Sequence, residues 1–224
     1  LAEAKKLAEQ FQEITGQAKY LKAFTKMYEP LPPVVEWLKN LRISDLDEIV
    51  TDDREIYELA GQYAAEAVKE KLRLYEDELL PLYKLYSLET ILSRALNKKV
   101  WLKSGGYLII ECTEAMVVID VNTGKYSGKK NLADTIRLIN LEAAKEIAHQ
   151  LRLRNLSGII MVDFIDMDTQ EDKTLLMDTL KAAVRPDPVK TTVIDMTPLN
   201  LVEMTRKKEK RPLWEQIAQV QKKS

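Results

Sequence analysis

Two aspartates stand in the same local setting: Met116-Val-Val-Ile119 runs into Asp120, and Ile159-Ile-Met-Val162 runs into Asp163. Asn122 follows Asp120 by two positions, so on an extended chain it points the same way. Asp166 and Asp168 add acid after the second run. Two carboxylates and an amide oxygen are hard donors, suited to Mg²⁺ or Mn²⁺ and unsuited to zinc. An ion held by so few protein ligands keeps positions for water and phosphate oxygens, as metal-assisted phosphodiester hydrolysis requires. The alternative is structural, because strand-end aspartates also cap helices and order loops, and clustered carboxylates arise there too.

Other chemistry is sparse. His149, the single histidine, has no Ser, Cys or Asp at triad-like spacing and reads as a helix-surface residue. Cys112, the single cysteine, excludes an internal disulfide and a Cys-rich zinc site, and after an apolar run it reads as a buried small hydrophobe. Gly124-Lys125 and Gly128-Lys129-Lys130 lack the P-loop pattern but bring lysines and backbone N–H groups toward a phosphate. Arg152 and Arg154 close a helical stretch, where they complement its dipole or contact RNA.

The elements that must position these residues follow from periodicity. Leu132, Ile136, Ile139, Ala143, Ile147 and Leu151 recur at spacings of three and four, a long amphipathic helix headed by the capping-box-like Asn131-Leu-Ala-Asp134. Strand, helix, strand predicts a right-handed crossover and parallel strands, with both aspartates at one sheet edge where open α/β sheets bind ligands. The unbroken apolar runs predict strands buried on both faces. Four of the seven glycines (Gly105, Gly106, Gly124, Gly128) concentrate the sharp turns nearby, and Ser104-Gly-Gly predicts a hairpin between Val100–Leu102 and Tyr107–Glu111. A helix over 168–184, a Pro-containing loop and a strand over 191–194 follow. Ahead of residue 99 the pattern predicts a helix over 1–27, a stop at Glu29-Pro-Leu-Pro-Pro33, and a short helix over 34–41. A strand over 47–50, a helix from Thr51-Asp-Asp53 to Lys71, a strand over 72–75 and a helix over 87–97 complete it. The fold class is α/β (mixed α+β).

The 224 residues, 46% hydrophobic and 31% charged, make an ordinary globular composition with enough chain for a core. No run reaches the ~18 apolar residues of a membrane span, and the first residues carry no apolar signal core, so neither membrane nor secretion is expected. The net charge of -1 argues against a nucleic-acid coat protein but averages unlike parts. Residues 45–58 hold seven acids and one Arg, and residues 206–224 hold seven bases and two acids. Attraction to phosphate must therefore come from local basic surface and a bound ion.

The motifs themselves carry a resemblance. Ser104-Gly-Gly-Tyr-Leu-Ile-Ile-Glu-Cys-Thr-Glu-Ala-Met-Val-Val-Ile-Asp-Val-Asn-Thr-Gly124, Asn140-Leu-Glu-Ala-Ala144, Gln150-Leu-Arg-Leu-Arg-Asn-Leu-Ser-Gly158, Val162-Asp-Phe-Ile-Asp-Met167 and Leu201-Val-Glu-Met-Thr-Arg206 stand in the order found in the ribonuclease E/G family, which the chain closely resembles. The resemblance implies a cytoplasmic, Mg²⁺-dependent endoribonuclease (Mn²⁺ as a substitute). Such an enzyme cuts single-stranded RNA to 5′-phosphate and 3′-hydroxyl ends in RNA processing and decay. It implies that Asp120 and Asp163 hold the metal and Asn122 supports them, and it places Lys190 near a basic residue of the family's 5′-sensing pocket. With such a site, the basic residues Lys125, Lys129, Lys130, Arg152 and Arg154 are expected to meet the phosphates of RNA. The implied organisation is a helical remnant of a 5′-sensing region at 1–33 and an RNase-H-like subdomain at 34–98. A DNase-I-like catalytic subdomain at 99–212 and a tail at 213–224 follow. The family's OB-fold and its Cys-Pro-x-Cys zinc link have no counterpart in these residues. That implies weaker RNA binding, no zinc in this chain and any homo-oligomer formed without a zinc link. A second reading is a catalytically silent RNA-binding or scaffold remnant, and a third is a phosphodiesterase acting on another nucleic acid.

Overall fold

The structure is a computed structural model that describes residues 2–28, 32–39, 46–124 and 132–221. Its chain divides into two compact units, Leu1–Tyr86 and Ser87–Ser224.

The first unit holds α1 (Ala2–Ala18), α2 (Pro33–Lys39), β1 (Ile49–Thr51), α3 (Arg54–Tyr63), α4 (Glu66–Lys69), β2 (Leu72–Leu74) and α5 (Leu82–Leu85). β1 and β2 pair in parallel across α3, which Asp53 caps by accepting from the Ile56 N–H at 3.0 Å. The helix predicted from there to Lys71 breaks at Ala64, where the backbone becomes extended. No proline stands there. The break buries both Ala64 and Val68, with Val35, Leu38 and Ala60 also out of water, so packing overrides local propensity. α1 ends at Ala18, short of the predicted 27. Leu7 and Phe11 on its stripe stay exposed, so no burial extends it.

The second unit begins with α6 (Leu88–Leu96), a helix that the sequence boundary at 98/99 assigns to the preceding region. Then come β3 (Lys99–Trp101), β4 (Tyr107–Cys112), β5 (Met116–Asn122), α7 (Leu132–Leu153), β6 (Gly158–Asp163), α8 (Gln170–Val184), β7 (Thr191–Met196), β8 (Leu201–Arg206) and α9 (Leu213–Gln221). The six strands lie in the order β3-β4-β5-β6-β8-β7. β5 and β6 are parallel and every other neighbour pair is antiparallel. The fold is thus mixed α+β, with several helices and two sheets.

One core serves this unit. Ile139, Ala143, Ile147 and Leu151 of α7 and Leu176 and Leu180 of α8 cluster with Leu108, Ile110, Ile119, Ile160, Val162, Val202 and Met204 from the strands. Each fully buried Leu or Ile contributes about 1.5–3 kcal/mol of transfer free energy. The two-face burial predicted for β5 and β6 is not found. Val117 and Ile119 are buried, whereas Val118 between them is 36% exposed and Ile159 on β6 is 50% exposed. α7 and α8 cover one face of the sheet, and the alternate residues form a second, open face.

Candidate active site

Asp120 lies on β5 and Asp163 ends β6, and the parallel register sets them directly opposite one another. Adjacent strands are ~4.8 Å apart, and side chains alternate between faces. Ile119 and Val162 are wholly buried, so Asp120 and Asp163 both project from the open face and are exposed. The carboxylates therefore meet on the sheet surface, near the strand ends. Asn122 donates from Nδ2 to Asp120 Oδ2 at 2.8 Å, holding that carboxylate while leaving its other lone pairs available.

The glycines set this geometry from behind. A Cβ on Gly106 would come within 2.8 Å of the Asn122 carbonyl and 2.9 Å of Ile139 Cγ2. Gly124 has φ +65°, and a Cβ there would lie 2.3 Å from the Gly105 carbonyl oxygen. The hairpin turn thus packs its backbone against residues 122–124. Glu142 of α7 ties down the same turn, accepting from the Lys103 N–H at 2.7 Å and the Ser104 N–H at 3.0 Å. Partial burial opposes its ionisation, but hydrogen bonds from Ser104 and Lys103 outweigh it and hold the Glu142 carboxyl below its usual range.

The segment after β6 is held by Asn140, which is fully buried on the apolar stripe of α7. Its Nδ2 donates to the Ile165 carbonyl at 2.8 Å, and its Oδ1 accepts from the Ile165 N–H at 3.2 Å. Asp166 next door accepts from Asn200 Nδ2 at 2.9 Å, and Asn200 Oδ1 accepts from Lys173 Nζ at 2.9 Å. Thr169 caps α8 by accepting from the Asp172 N–H. Sequence reasoning gave Asn140, Glu142 and Asn200 no role. A legible signal existed for Asn140, a polar residue on an otherwise apolar helical stripe, because a buried amide must find partners.

Asp163 is pushed above its usual carboxyl range, first by partial desolvation and then by the charges of Asp120 and Asp166. Neither Asp120 nor Asp163 forms an ion pair among the described residues. The nearby bases are engaged elsewhere, Lys173 with Asn200 and Arg137 with Asp134 and Asp172. Among the described residues the pair is thus short of positive charge. Among the described residues no group of three or more His, Cys, Asp or Glu side chains converges, so a metal would have two protein carboxylates here. Two carboxylates with the rest of the sphere left to water and phosphate is a set that Mg²⁺ accepts.

The basic residues that the structure describes fall elsewhere. Lys125, Lys129 and Lys130 lie outside the described residues. Arg152 and Arg154 stand at the end of α7, beside the start of β6, and Asp163 is about 16 Å further along that strand at ~3.3 Å per residue. A crossover helix runs back along the sheet, so its last residues reach the strand starts and not the strand ends. Arg152 is exposed, whereas Arg154 is buried, with Nε donating to Gln150 Oε1 at 2.6 Å. Lys190 precedes β7, whose first residue pairs with Arg206 opposite Gly158, so it too belongs to the far end. Arg206 serves the fold, its Nε donating to Asp187 at 2.8 Å with both side chains buried. His149 is exposed on α7. Cys112, read as buried, is exposed instead. The alternating burial of β4 ends before it, and it lines a cavity of about 340 Å³ with Arg154, Leu156 and Trp214. Partial desolvation raises its thiol above the usual range, against the pull of Arg154.

Known proteins are similar to this chain in sequence. Ribonuclease G of Salmonella typhimurium (strain SL1344) is 45% identical over 186 residues, 82% of this chain and 38% of that protein. Ribonuclease G of Escherichia coli (strain K12) is 42% identical over 191 residues, 84% of this chain and 39% of that protein. Ribonuclease E of Nostoc sp. (strain PCC 7120) is 35% identical over 183 residues, 80% of this chain and 27% of that protein. The chain thus spans about two fifths of the length of these ribonuclease G relatives. No helix among the described residues is long and apolar enough to cross a membrane. The pattern of the Ribonuclease E/G family matches residues 1–209, and with relatives at this identity over four fifths of its length, the chain belongs to the Ribonuclease E/G family.

Proposed function

We propose that this chain carries the catalytic core of a divalent-metal-dependent endoribonuclease. It cuts single-stranded RNA to 5′-phosphate and 3′-hydroxyl ends in RNA processing and decay. The observation that supports the reading most is the register of Asp120 against Asp163 on the open face, with Asn122 bonded to Asp120. Asp120 and Asp163 would hold Mg²⁺ or Mn²⁺, a fit supported by two hard oxygen donors and by the crowding of negative charge from Asp120 and Asp166 on Asp163. When bound, the ion supplies activation of water and neutralisation of charge developing on the phosphate.

Asn122 fixes one Asp120 oxygen, so that carboxylate is aimed before substrate arrives. The open face admits a single strand to the pair. Lys125, Lys129 and Lys130, which follow Asn122 within eight positions in the sequence, meet phosphates, and Arg152 and Lys190 meet RNA that runs toward the far end of the sheet. In this reading 99–212 is a DNase-I-like subdomain and 34–98 an RNase-H-like one, and any homo-oligomer forms without a zinc link.

The test is incubation of the whole chain with a 5′-monophosphorylated single-stranded RNA and Mg²⁺ or Mn²⁺. Cleavage that both EDTA and Asp120→Asn abolish is expected. Cleavage that survives either change overturns the mechanism, and RNA binding without turnover at high protein concentration identifies a silent RNA-binding core.

A further inference from the structure

The open face carries a second group of side chains that neither the carboxylates nor the core uses. Trp101 on the edge strand β3 lies opposite Tyr107 on β4, and Tyr107 lies opposite Asn122 on β5, so the three form one row across the sheet. The Trp101 and Tyr107 rings meet edge to face, with centroids 5.3 Å apart and planes at 62°. Lys99, two residues before Trp101 and so on the same face, sets its ammonium 4.0 Å from the Trp101 ring centroid and 3.6 Å from that of Tyr107.

A cross-strand aromatic pair stabilises an edge strand, and that role accounts for the contact between the rings. It leaves two features without a purpose. Trp101 keeps 64% of its surface in water, a large apolar area to leave uncovered beside a half-exposed partner. Lys99 forms no ion pair among the described residues, although its neighbour Lys98 pairs with Glu111 at 2.9 Å. An indole that keeps most of its surface in water while Lys99 lies over part of it, with that cation unpaired by any carboxylate among the described residues, matches the flat face of a base and the charge of its phosphate. Asp120 lies two residues along β5 from this row, one strand spacing from Tyr107 and two from Trp101, so the rings stand about 8–12 Å from it, one or two nucleotides from a linkage held at the carboxylates.

We propose that Lys99, Trp101 and Tyr107 form a stacking subsite for a base of single-stranded RNA, on the same sheet face as Asp120 and Asp163 and flanking the scissile linkage. It rests on the ribonuclease reading above and adds to it the position on this unit that holds a neighbouring base. Trp101 supplies the exposed ring, Tyr107 braces it, and Lys99 keeps positive charge where the backbone passes. All three are positioning residues, because none touches the reacting atoms.

The experiment uses the full chain carrying Trp37→Phe and Trp214→Phe, which leaves Trp101 as the sole tryptophan. Binding is followed by anisotropy of a labelled single-stranded A/U decamer while Trp101 emission is recorded. Quenching of that emission by the single strand is expected, with little by the same sequence as a duplex, whose bases are already stacked. Trp101→Ala should weaken binding roughly 5- to 150-fold, the range equivalent to stacking of ~1–3 kcal/mol per base, and Trp101→Phe should retain most of the affinity. Thermal melts of both variants separate this from unfolding. RNA binding that leaves Trp101 emission unchanged, or equal affinity of Trp101→Ala in a folded chain, overturns the subsite. No RNA binding at millimolar strand overturns it as well. An emission shift that follows protein concentration and ignores RNA overturns it in favour of contact between copies. Cleavage by the parent chain is measured separately, so loss of turnover with intact quenching counts against the catalytic reading and not against the subsite.

Discussion

Replacing Asn140 tests whether one buried amide holds the segment that carries the acidic cluster. In Asn140→Ala the Ile165 N–H and carbonyl lose partners at 3.2 and 2.8 Å. A buried polar group left without a partner costs about 1–3 kcal/mol. Asn140 is fully buried but Ile165 is only half-buried, so water recovers part of the loss and the two groups together should cost about 2–4 kcal/mol. That is a large share of the ~5–15 kcal/mol that holds an ordinary domain together. Equilibrium urea unfolding at pH 7 measures it. Asn140→Asp adds a sign. A carboxyl at this position faces the Ile165 carbonyl in a dry site, so its native pKa rises above the ordinary ~3.9. When protonated it donates as the amide did, and when ionised it repels the carbonyl. Its stabilisation is therefore full below about pH 4 and is lost as pH climbs through the raised native pKa. A loss under ~1 kcal/mol in Asn140→Ala, or an Asn140→Asp stability as flat as the parent's between about pH 4 and 7, refutes the account.

Two further outcomes follow from other parts of the sheet. Arg206 and Asp187 form a buried pair with side chains 3% and 2% exposed, and Arg206→Ala leaves a carboxylate stranded, at a cost of about 3–5 kcal/mol by thermal unfolding. Burial opposes Asp187 ionisation, but the hydrogen bonds from Arg206, Val189 and Thr191 prevail and depress its pKa. The pair's contribution is therefore present above about pH 4 and lost as pH falls through the depressed native value, a dependence that Asp187→Asn should remove. Gly124→Ala places a Cβ where φ is +65° and the Gly105 oxygen is 2.3 Å away. It should cost at least ~1–2 kcal/mol and displace Asn122, seen as a lower melting temperature and a shifted Asn122 side-chain amide signal in NMR.

Much of the scaffold was legible because it repeats locally. The stripe from Ile136 to Leu151 lies on one helix, α7, and the two apolar runs followed by Asp are, among the described residues, the only parallel neighbours in their sheet. Ser104-Gly-Gly turns a hairpin, as its glycines predict. Burial was misread where the pattern is ambiguous. An unbroken apolar run fits a strand covered on both sides, yet Val118 and Ile159 face outward because helices cover one side only. Cys112 looked like core because it ends an apolar stretch, and whether cover extends that far is not a local property.

The residue sequence alone determined which side chains share a face and which strand carries each aspartate, since a period of two and a period of 3.6 are properties of the backbone. Three matters were left to the tertiary structure. Register brought Asp120 opposite Asp163, and it is set by packing along the whole strand. The direction of α7 sent Arg152 and Arg154 to the far end of the sheet, although Arg152 lies only eleven residues before Asp163, and the pairing of β7 with β8 placed Lys190 there. The antiparallel addition of β3 and β4 carried Trp101 and Tyr107 onto the carboxylates' face. Each depends on contacts between segments distant in the chain, which no local pattern of residue types encodes.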